Sequence, residues 1–507
     1  MKTNQLKAGA FLNYTIILLN AAVGLIYTPY MLHKLGQSEY GLYSLVSSVI
    51  AYLTLMDFGF GNAVVRYTAK YRAEGKYDEL HYLFGMLFIF YCFISILVFI
   101  GGFSLYLNTE SMFGDTMNQE EIERAKTMML ILTFNMSFTF IFHIFGSIIT
   151  AFEKFVFQKT IQIIRLILNT ITMVLLLHLE YKAIAMVVVL TIFNVSSLLI
   201  NLLYCKSKLD VKIKFGHFDK QLAAEIAVYA FWIFLNAIMD KIYWSTGQFI
   251  LGITSGTIAV SVFAVAINFE HMYMSFSTAI SSVFLPKVTA MVAQNKSNEE
   301  ISELFIKTGR IQFIVMAFIL TAFFVLGSQF IKIWAGEEYS VSYYITFMFF
   351  AALFIPLIQN MGITILQARN QMKFRCILYI IIAFVSLIGQ IILSKEYGAY
   401  GCAISISAAL IIGQGIIMNI YYKRKQGLDI TKFWKEILKM SISPCVIAVI
   451  SFMIFKRLEI QSYTIFFLCA AVFSAVYIPC FWFFSMNDYE RQLIKEPIKK
   501  LLRKKLS

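Results

Sequence analysis

Residues Ile226–Ile253 read IAVYAFWIFLNAIMDKIYWSTGQFILGI, an apolar run with two full charges, Asp240 and Lys241, at its middle. At a rise of about 1.5 Å per helical residue, the charges lie roughly 20 Å from each end, near the midplane of a hydrocarbon core about 30 Å thick. Charged groups at that depth mark ion or substrate pathways. The run therefore predicts a membrane-spanning helix with a functional centre.

The next apolar run along the chain carries Glu270 and His271 at its own middle. A hairpin that turns at Ser255-Gly256 would place Asp240 and Glu270 at one level, because Ser255 lies midway between them in the sequence. We therefore expect four polar or charged side chains to meet at mid-membrane.

The composition predicts a membrane protein throughout. Of 507 residues, 59% are hydrophobic and 14% are charged, and the mean hydropathy is +0.73. Soluble domains contain about 25% charged residues. The seven cysteines form no CxxC pair and the six histidines form no cluster, so we expect no disulfide, metal site or cofactor.

The apolar runs predict fourteen spans. We expect α-helices because in lipid every backbone polar group must be bonded internally, and because the runs are too continuously apolar for barrel strands. The predicted spans are 8–31, 41–65, 82–107, 127–151, 160–179, 183–204, 224–252, 257–285, 311–331, 341–366, 376–394, 398–422, 437–455 and 462–486.

The distribution of lysine and arginine predicts the orientation. The two termini and the even-numbered loops hold 32 of the 43, and the odd-numbered loops hold 8. Cytoplasmic loops are rich in these residues, so both termini are expected on the cytoplasmic side. The net charge of +14 then requires no nucleic acid as a partner, because the basic loops fit an anionic inner leaflet.

An internal repeat predicts the architecture. Without gaps, Gly146–Ala183 aligns with Gly362–Ala399, and Thr68 in the loop after span 2 aligns with Thr289 in the loop after span 8. Both displacements correspond to six spans, an even number, which preserves orientation and predicts two parallel six-helix repeats with two added C-terminal helices. The predicted parts are an N-terminal lobe (1–204), a cytoplasmic linker (205–222), a C-terminal lobe (223–425) and a last part with spans 13 and 14 and a basic tail (426–507).

Several stretches resemble the oligosaccharide-repeat-unit (Wzx-type) flippases of bacterial polysaccharide synthesis, in the superfamily that also contains the MATE drug antiporters (MOP). The resemblance covers most of the chain. The stretches are PYMLHKLGQSEYGLYSL (Pro29–Leu45), DFGFGNAVVRY (Asp57–Tyr67), Asp240-Lys241, FLPK (Phe284–Lys287) and QARNQMK (Gln367–Lys373).

This resemblance implies a function in the bacterial cytoplasmic membrane. A cationic cavity between the MATE-like lobes would carry undecaprenyl-diphosphate-linked oligosaccharides outward by alternating access, next to a polysaccharide polymerase and other assembly proteins. Two alternatives remain open: a MATE-like cation-coupled small-molecule antiporter, and a membrane-embedded polymerase or glycosyltransferase.

The enzyme alternative needs a sizeable loop with paired carboxylates, and the longest outer loop, Asn108–Lys126, is too short to build such a site. The chain has no glycine-rich loop for ATP phosphates. Transport would therefore use the substrate gradient or a Na⁺ or H⁺ gradient. The carboxylates of Asp57, Asp240 and Glu270 are the candidates for ion coupling or for charge pairs.

The candidate substrate site centres on Lys241, a compact cation with three donors for a pyrophosphate. Asn236 and Trp244 belong to a ridge of aromatic and polar residues on the same span, and His271 belongs to a polar stripe on the next. The structural alternative is an ion pair between Lys241 and Glu270.

Arg165 is a second candidate phosphate contact, near the cytoplasmic end of span 5 on one helical face with Gln162 and Asn169. It could instead extend to the membrane interface. Asn20 on span 1 is a further candidate for the cavity wall. Asp57 lies deep in span 2, where a structural cap and a proton site are both open.

Overall fold

The computed structural model describes residues 2–57, 60–216, 225–226, 238, 241–455, 458, 462–493 and 495–496. Across these residues the chain forms helices joined by short connections, and no strand. The all-α prediction is confirmed. The physical reason is the requirement that backbone polar groups in lipid be bonded within the segment itself.

The helices of the first half are α1 (Lys2–Ala51), α2 (Phe60–Ala73), α3 (Tyr77–Phe113), α4 (Gln119–Ala151), α5 (Phe155–His178) and α6 (Ala183–Lys208), with a 3₁₀ turn at Tyr52–Asp57. Those of the second half are α7 (Thr246–Ala293), α8 (Asn298–Trp334), α9 (Ser340–Ile358), α10 (Met361–Ala368), α11 (Lys373–Leu410), α12 (Met418–Arg424), α13 (Ile430–Phe455) and α14 (Tyr463–Phe484), with a π-helical segment at Ile411–Ile417.

Eleven helical stretches of the described residues are long and apolar enough to cross a membrane. Three of them, with 63, 41 and 52 residues, are at least twice as long as the roughly 20 residues that one crossing needs. Each contains one glycine with a positive φ, namely Gly36 (76°), Gly256 (78°) and Gly398 (52°). Glycine adopts this conformation without a Cβ clash and so interrupts the helix. The structure thus breaks the helix at Gly256, the predicted position, while the hairpin itself and the number of fourteen spans stay predictions.

Two of these breaks support the internal repeat. Gly36 has φ 76° and ψ 172°, and Gly256 has φ 78° and ψ −176°, so their backbone conformations are nearly identical. Their separation along the chain is within one position of the displacement that aligns Thr68 with Thr289. A glycine with the same backbone conformation therefore ends the first helix of each predicted repeat.

Glu121 connects three segments of the chain at the start of α4. Its backbone N–H donates to the side chain of Asn118 (2.9 Å), and its Oε2 accepts from the Asn118 N–H (3.1 Å), which forms a capping box. Its Oε1 accepts from Thr257 (3.0 Å) and from Ser38. One carboxylate therefore caps α4 and holds the segments that follow Gly36 and Gly256.

Close backbone packing brings the same segments together. A Cβ at Gly41 would lie 1.9 Å from the carbonyl oxygen of Thr257, so only glycine fits there. Nearby, Thr116 donates to the carbonyl oxygen of Gly252 (2.6 Å). The beginning of α7 consequently packs against α1 and the connection between α3 and α4.

The chain divides into two compact units. The first contains residues 1–264 and 391–399, and the second contains residues 265–390 and 400–507. The contacts of Thr257 and Gly252 explain why the beginning of α7 belongs to the first unit. The lobes predicted from the repeat, 1–204 and 223–425, have different bounds and stay a prediction.

The second unit contains a buried ion cluster that attaches the last two spans. Arg310 on α8, whose side chain is 7% exposed, donates to both carboxylate oxygens of Glu490 (2.5 and 3.0 Å) and to Glu436 (2.9 Å). It also donates to the carbonyl oxygen of Ser485 (3.3 Å). The predicted span 311–331 begins just after Arg310, so the sequence assigns this arginine to the preceding loop. The structure places it inside a helix, among the carboxylates of α13 and of the segment after α14.

Candidate functional site

Two adjoining cavities with several polar lining residues lie within the first unit. Their volumes are about 360 and 460 Å³. Residues of α4, α5 and α6 line both cavities, α1 contributes to one and α2 to the other. The residues common to both are Thr139, Gln162, Arg165 and Asn194. The two cavities therefore meet around a single arginine.

A hydrogen-bond network holds that arginine in place. Arg165 Nη1 donates to Oδ1 of Asn194 (2.8 Å), and Asn194 Nδ2 donates to Asn135 Oδ1 and to Thr139 Oγ1 (both 2.7 Å). These residues come from α5, α6 and α4, so the network joins three helices. The bond to Asn194 uses one terminal nitrogen of a guanidinium group that carries five N–H donors.

Carboxamide side chains dominate the polar part of the lining. A carboxamide offers two donors and an acceptor oxygen with two lone pairs, so it can bond hydroxyl groups in either direction. Eight of them line the two cavities: Asn20, Asn62, Asn135, Gln158, Gln162, Asn169, Asn194 and Asn201. The arrangement suits a ligand that is rich in hydroxyl groups.

One carboxylate, Asp57, lies in the second cavity. The Tyr91 hydroxyl donates to Asp57 Oδ1 (3.4 Å), and Nδ1 of His143 lies 3.7 Å from the same oxygen. A Cβ at Gly61 would lie 2.9 Å from the His143 ring, so the glycine lets α2 approach α4 at this point. Arg165 and Asp57 carry opposite charges and are the residues with a full charge among those lining the two cavities.

The structure brings together three of the predicted site residues. Asn20 and Arg165 line the first cavity, and Asp57 and Arg165 line the second. Gln162 and Asn169 line the first cavity with Arg165, as their helical spacing predicts. The resemblance implied a cavity between lobes, whereas this one lies within the first unit.

The other predicted residues that the structure describes lie elsewhere. Lys241 is half-buried and Trp244 is buried, and both lie in the first unit outside the two cavities. In the second unit Glu270 is fully buried, and its Oε2 lies 3.3 Å from Nδ1 of the exposed His271. Asn236 and Asp240 lie outside the described residues. The proposed meeting of four residues at mid-membrane therefore stays a prediction.

The sequence reasoning missed the contribution of α4 and α6. On α4 the polar residues Asn135, Thr139, His143 and Ser147 recur every four positions, and all four line the cavities. Residues four apart share one face of a helix. A search for polar stripes in the apolar runs could have found them.

Comparisons with known proteins agree with this architecture. The sequence pattern of the family described as polysaccharide biosynthesis protein matches residues 6–292. The uncharacterized membrane protein EpsK of Bacillus subtilis (strain 168) is 21% identical over 463 residues, which cover 88% of either chain. A Shigella flexneri protein provisionally named an O-antigen transporter is 20% identical over 405 residues, or 77% of this chain and 92% of that protein.

Two solved structures with similar folds are a flippase and a drug transporter. The lipid II flippase MurJ in an inward closed conformation matches with a TM-score of 0.72 at 17% identity, covering 93% of this chain and 97% of that chain. An inward-facing multidrug resistance transporter of the MATE family, in the MOP superfamily, matches with a TM-score of 0.64 at 15% identity, covering 82% of this chain and 95% of that chain. At such identities these matches establish the multi-helix membrane fold.

Proposed function

The chain belongs to the polysaccharide biosynthesis protein family, and on that premise we propose that it is a flippase for undecaprenyl-diphosphate-linked oligosaccharide repeat units. It moves them from the inner to the outer leaflet of the bacterial cytoplasmic membrane by alternating access. A polysaccharide polymerase and other assembly proteins then use the exported units. The likeness to a lipid II flippase supports this proposal at the level of the fold.

The observation that carries the proposal is the pair of adjoining cavities around Arg165, which eight carboxamides line together. Sugar hydroxyl groups both donate and accept hydrogen bonds, and a carboxamide complements either role. A guanidinium group bonds phosphate oxygens in a bidentate manner. The two cavities together thus offer partners to both polar parts of a lipid-linked oligosaccharide.

The lining argues against the antiporter alternative. A site for lipophilic cations would have a carboxylate without a compensating cation. Here Asp57 is accompanied by Arg165 in the same cavity. A lining with balanced charges and many carboxamides favours a sugar over a cationic drug.

The remaining candidate residues have proposed roles on the transport path. Lys241 meets the pyrophosphate at another point of the path, and Asn236, Trp244 and His271 contact the sugar, whereas Asn20 does so within the cavity. A coupling ion, Na⁺ or H⁺, would act at the carboxylates of Asp57, Asp240 and Glu270. These acidic groups lie well inside the predicted spans.

The proposed orientation puts both termini in the cytoplasm. It is tested with single cysteines at Ser207 and Asp115, two exposed positions in connections of opposite predicted side. A thiol reagent that does not cross the membrane should label the cysteine at 115 in intact cells, and the cysteine at 207 only after the cells are opened. Labelling of position 207 in intact cells would reverse the orientation.

Reconstitution tests the function itself. Vesicles that contain only this protein should move undecaprenyl diphosphate carrying a labelled oligosaccharide to the opposite leaflet without nucleotide. Undecaprenyl diphosphate without sugar should move about tenfold more slowly, because a lost hydrogen bond to sugar is worth about 0.5–1.5 kcal/mol and several are lost together. The measurement is the fraction of label that a reagent outside the vesicles can reach.

Each of the two alternative functions predicts a different result from the same purified protein. Efflux of ethidium without movement of the lipid-linked sugar would establish the antiporter. Transfer of sugar units from one lipid carrier to another by the purified protein would establish the polymerase or glycosyltransferase. Equal movement of both lipids would contradict the role assigned to the carboxamides.

A further inference from the structure

The second unit contains a cleft that the proposed transport does not use. Its volume is about 450 Å³, and it lies between the end of α12 and the beginning of α11. One part of its lining is apolar or aromatic, with Phe374, Ile417, Ile420 and Tyr421. The other part is polar and cationic, with Gln371, Arg424, Lys425 and Gln426. We infer that this cleft binds one anionic phospholipid, with its phosphate at Arg424 and Lys425 and an acyl chain along the apolar wall.

Internal contacts preform the walls of the cleft. The rings of Phe374 and Tyr421 stack with centroids 4.1 Å apart and planes 9° from parallel. Gln426, which is buried, donates to Gln371 Oε1 (2.8 Å) and to the Tyr421 hydroxyl (3.2 Å), and Arg369 donates to its side-chain oxygen (3.1 Å). A lipid would therefore meet a rigid site and would not have to order it first.

The two cations are available to a ligand. Arg424 and Lys425 are exposed, and within the described part of the chain neither makes an ion pair with a carboxylate. By contrast, Arg369 is already engaged with Gln426 and with Asn298 (2.7 Å). Two adjacent positive charges next to exposed apolar surface match the chemistry of a phosphate ester joined to a hydrocarbon chain.

The exposed wall favours a lipid over a soluble anion. Ile420 is 48% exposed and Phe374 is 38% exposed, and both line the cleft beside the cations. An acyl chain covers such surface, while inorganic phosphate leaves it bare. The positive-inside count places the end of α12 at the cytoplasmic face, where anionic phospholipids are abundant.

Native mass spectrometry of the purified full-length protein tests the inference. The protein in detergent is titrated with phosphatidylglycerol, with phosphatidylcholine of the same acyl chains, and with undecaprenyl diphosphate. We expect retained phosphatidylglycerol to exceed phosphatidylcholine, and the double variant Arg424→Gln with Lys425→Gln to bind phosphatidylglycerol about thirtyfold more weakly, because each surface cation contributes about 1 kcal/mol.

Lys423 supplies the matched control. It is exposed and immediately precedes the two cations, but it does not line the cleft. Lys423→Gln should leave phosphatidylglycerol binding near the wild-type value, and the melting temperature without added lipid should be the same for all variants. An equal loss in Lys423→Gln would mean diffuse attraction by a basic loop and would overturn the site.

Three other results would also overturn it. The first is unchanged binding by the double variant, and the second is a lower melting temperature of that variant, which would trace the loss to misfolding. The third is a loss of undecaprenyl diphosphate binding with phosphatidylglycerol binding intact, because the cleft would then belong to the substrate.

A variant of the apolar wall, Ile420→Asn, should weaken phosphatidylglycerol binding. A soluble competitor, glycerol 3-phosphate, should have no effect on phosphatidylglycerol binding by the wild type.

Discussion

Replacing Arg310 by alanine is expected to lower the free energy of unfolding by about 3–5 kcal/mol, because it leaves the carboxylate of Glu490 buried without its cation. Glu490, 2% exposed, would lose both of its bonds to the guanidinium group, and Glu436 would lose one. The measurement is thermal or denaturant unfolding of the protein in detergent, followed through retention of a monodisperse species.

Lys307 is the control for this prediction. It lies on the same helix, is exposed, and pairs with Glu303 at 3.8 Å. Exposed pairs within a helix contribute little to stability. Lys307→Ala should therefore unfold close to the wild type. If Arg310→Ala loses no more stability than Lys307→Ala, the cluster does not hold α13 and α14 to α8.

A second set of variants separates charge from shape. Arg310→Met with Glu490→Gln and Glu436→Gln removes all three charges while much of the side-chain volume remains. Buried ion clusters replaced as a whole often cost little stability, in contrast to clusters that lose one member. The triple variant should accordingly be more stable than Arg310→Ala. The opposite order would show that the hydrogen bonds matter more than the stranded charges.

Replacing Arg165 by alanine is expected to reduce transport of the lipid-linked oligosaccharide by about tenfold to a hundredfold. A hydrogen bond to a charged group is worth about 1.5–3 kcal/mol, and phosphate would lose at least one such bond. Arg165→Lys should retain part of the activity, because it keeps the charge but not the planar fork. The measurement is the initial rate in vesicles that contain equal amounts of inserted protein.

Two controls identify the cavity as the place of action. Lys159 lies on the same helix as Arg165 but outside both cavities, so Lys159→Ala should transport at the wild-type rate. Asn194→Ala should lower the rate less than Arg165→Ala, because it frees the guanidinium group from its partner without removing it. A normal rate for Arg165→Ala would mean that the arginine extends to the interface and has no contact with the substrate.

The same assay decides the proposed role of Lys241. If Lys241 meets the pyrophosphate, Lys241→Ala should lose transport and the added change Glu270→Ala should not restore it. If the two residues form a structural pair, the double variant should recover the activity that the single variant lost, since neither charge is then stranded. Recovery would leave Arg165 as the phosphate contact among the predicted cations.

The amino-acid sequence by itself determined the membrane-spanning character of the chain, because about 20 apolar residues in succession have no other stable environment. It also predicted the helix break at Ser255-Gly256 and the face that Arg165 shares with Gln162 and Asn169. These are local properties. A glycine permits a positive φ wherever it stands, and helical spacing assigns residues to a face without reference to the rest of the fold.

Only the tertiary structure decided which faces meet. Asn135 and Asn194 are 59 residues apart and belong to one network, and Arg310 bonds a carboxylate 180 residues away. Periodicity shows that a helix has a polar face but does not identify the helix opposite, since that pairing depends on how several helices pack together. For this reason Arg310 resembled a solvated loop cation in the sequence, and the carboxamides of several helices became one cavity lining only in the folded chain.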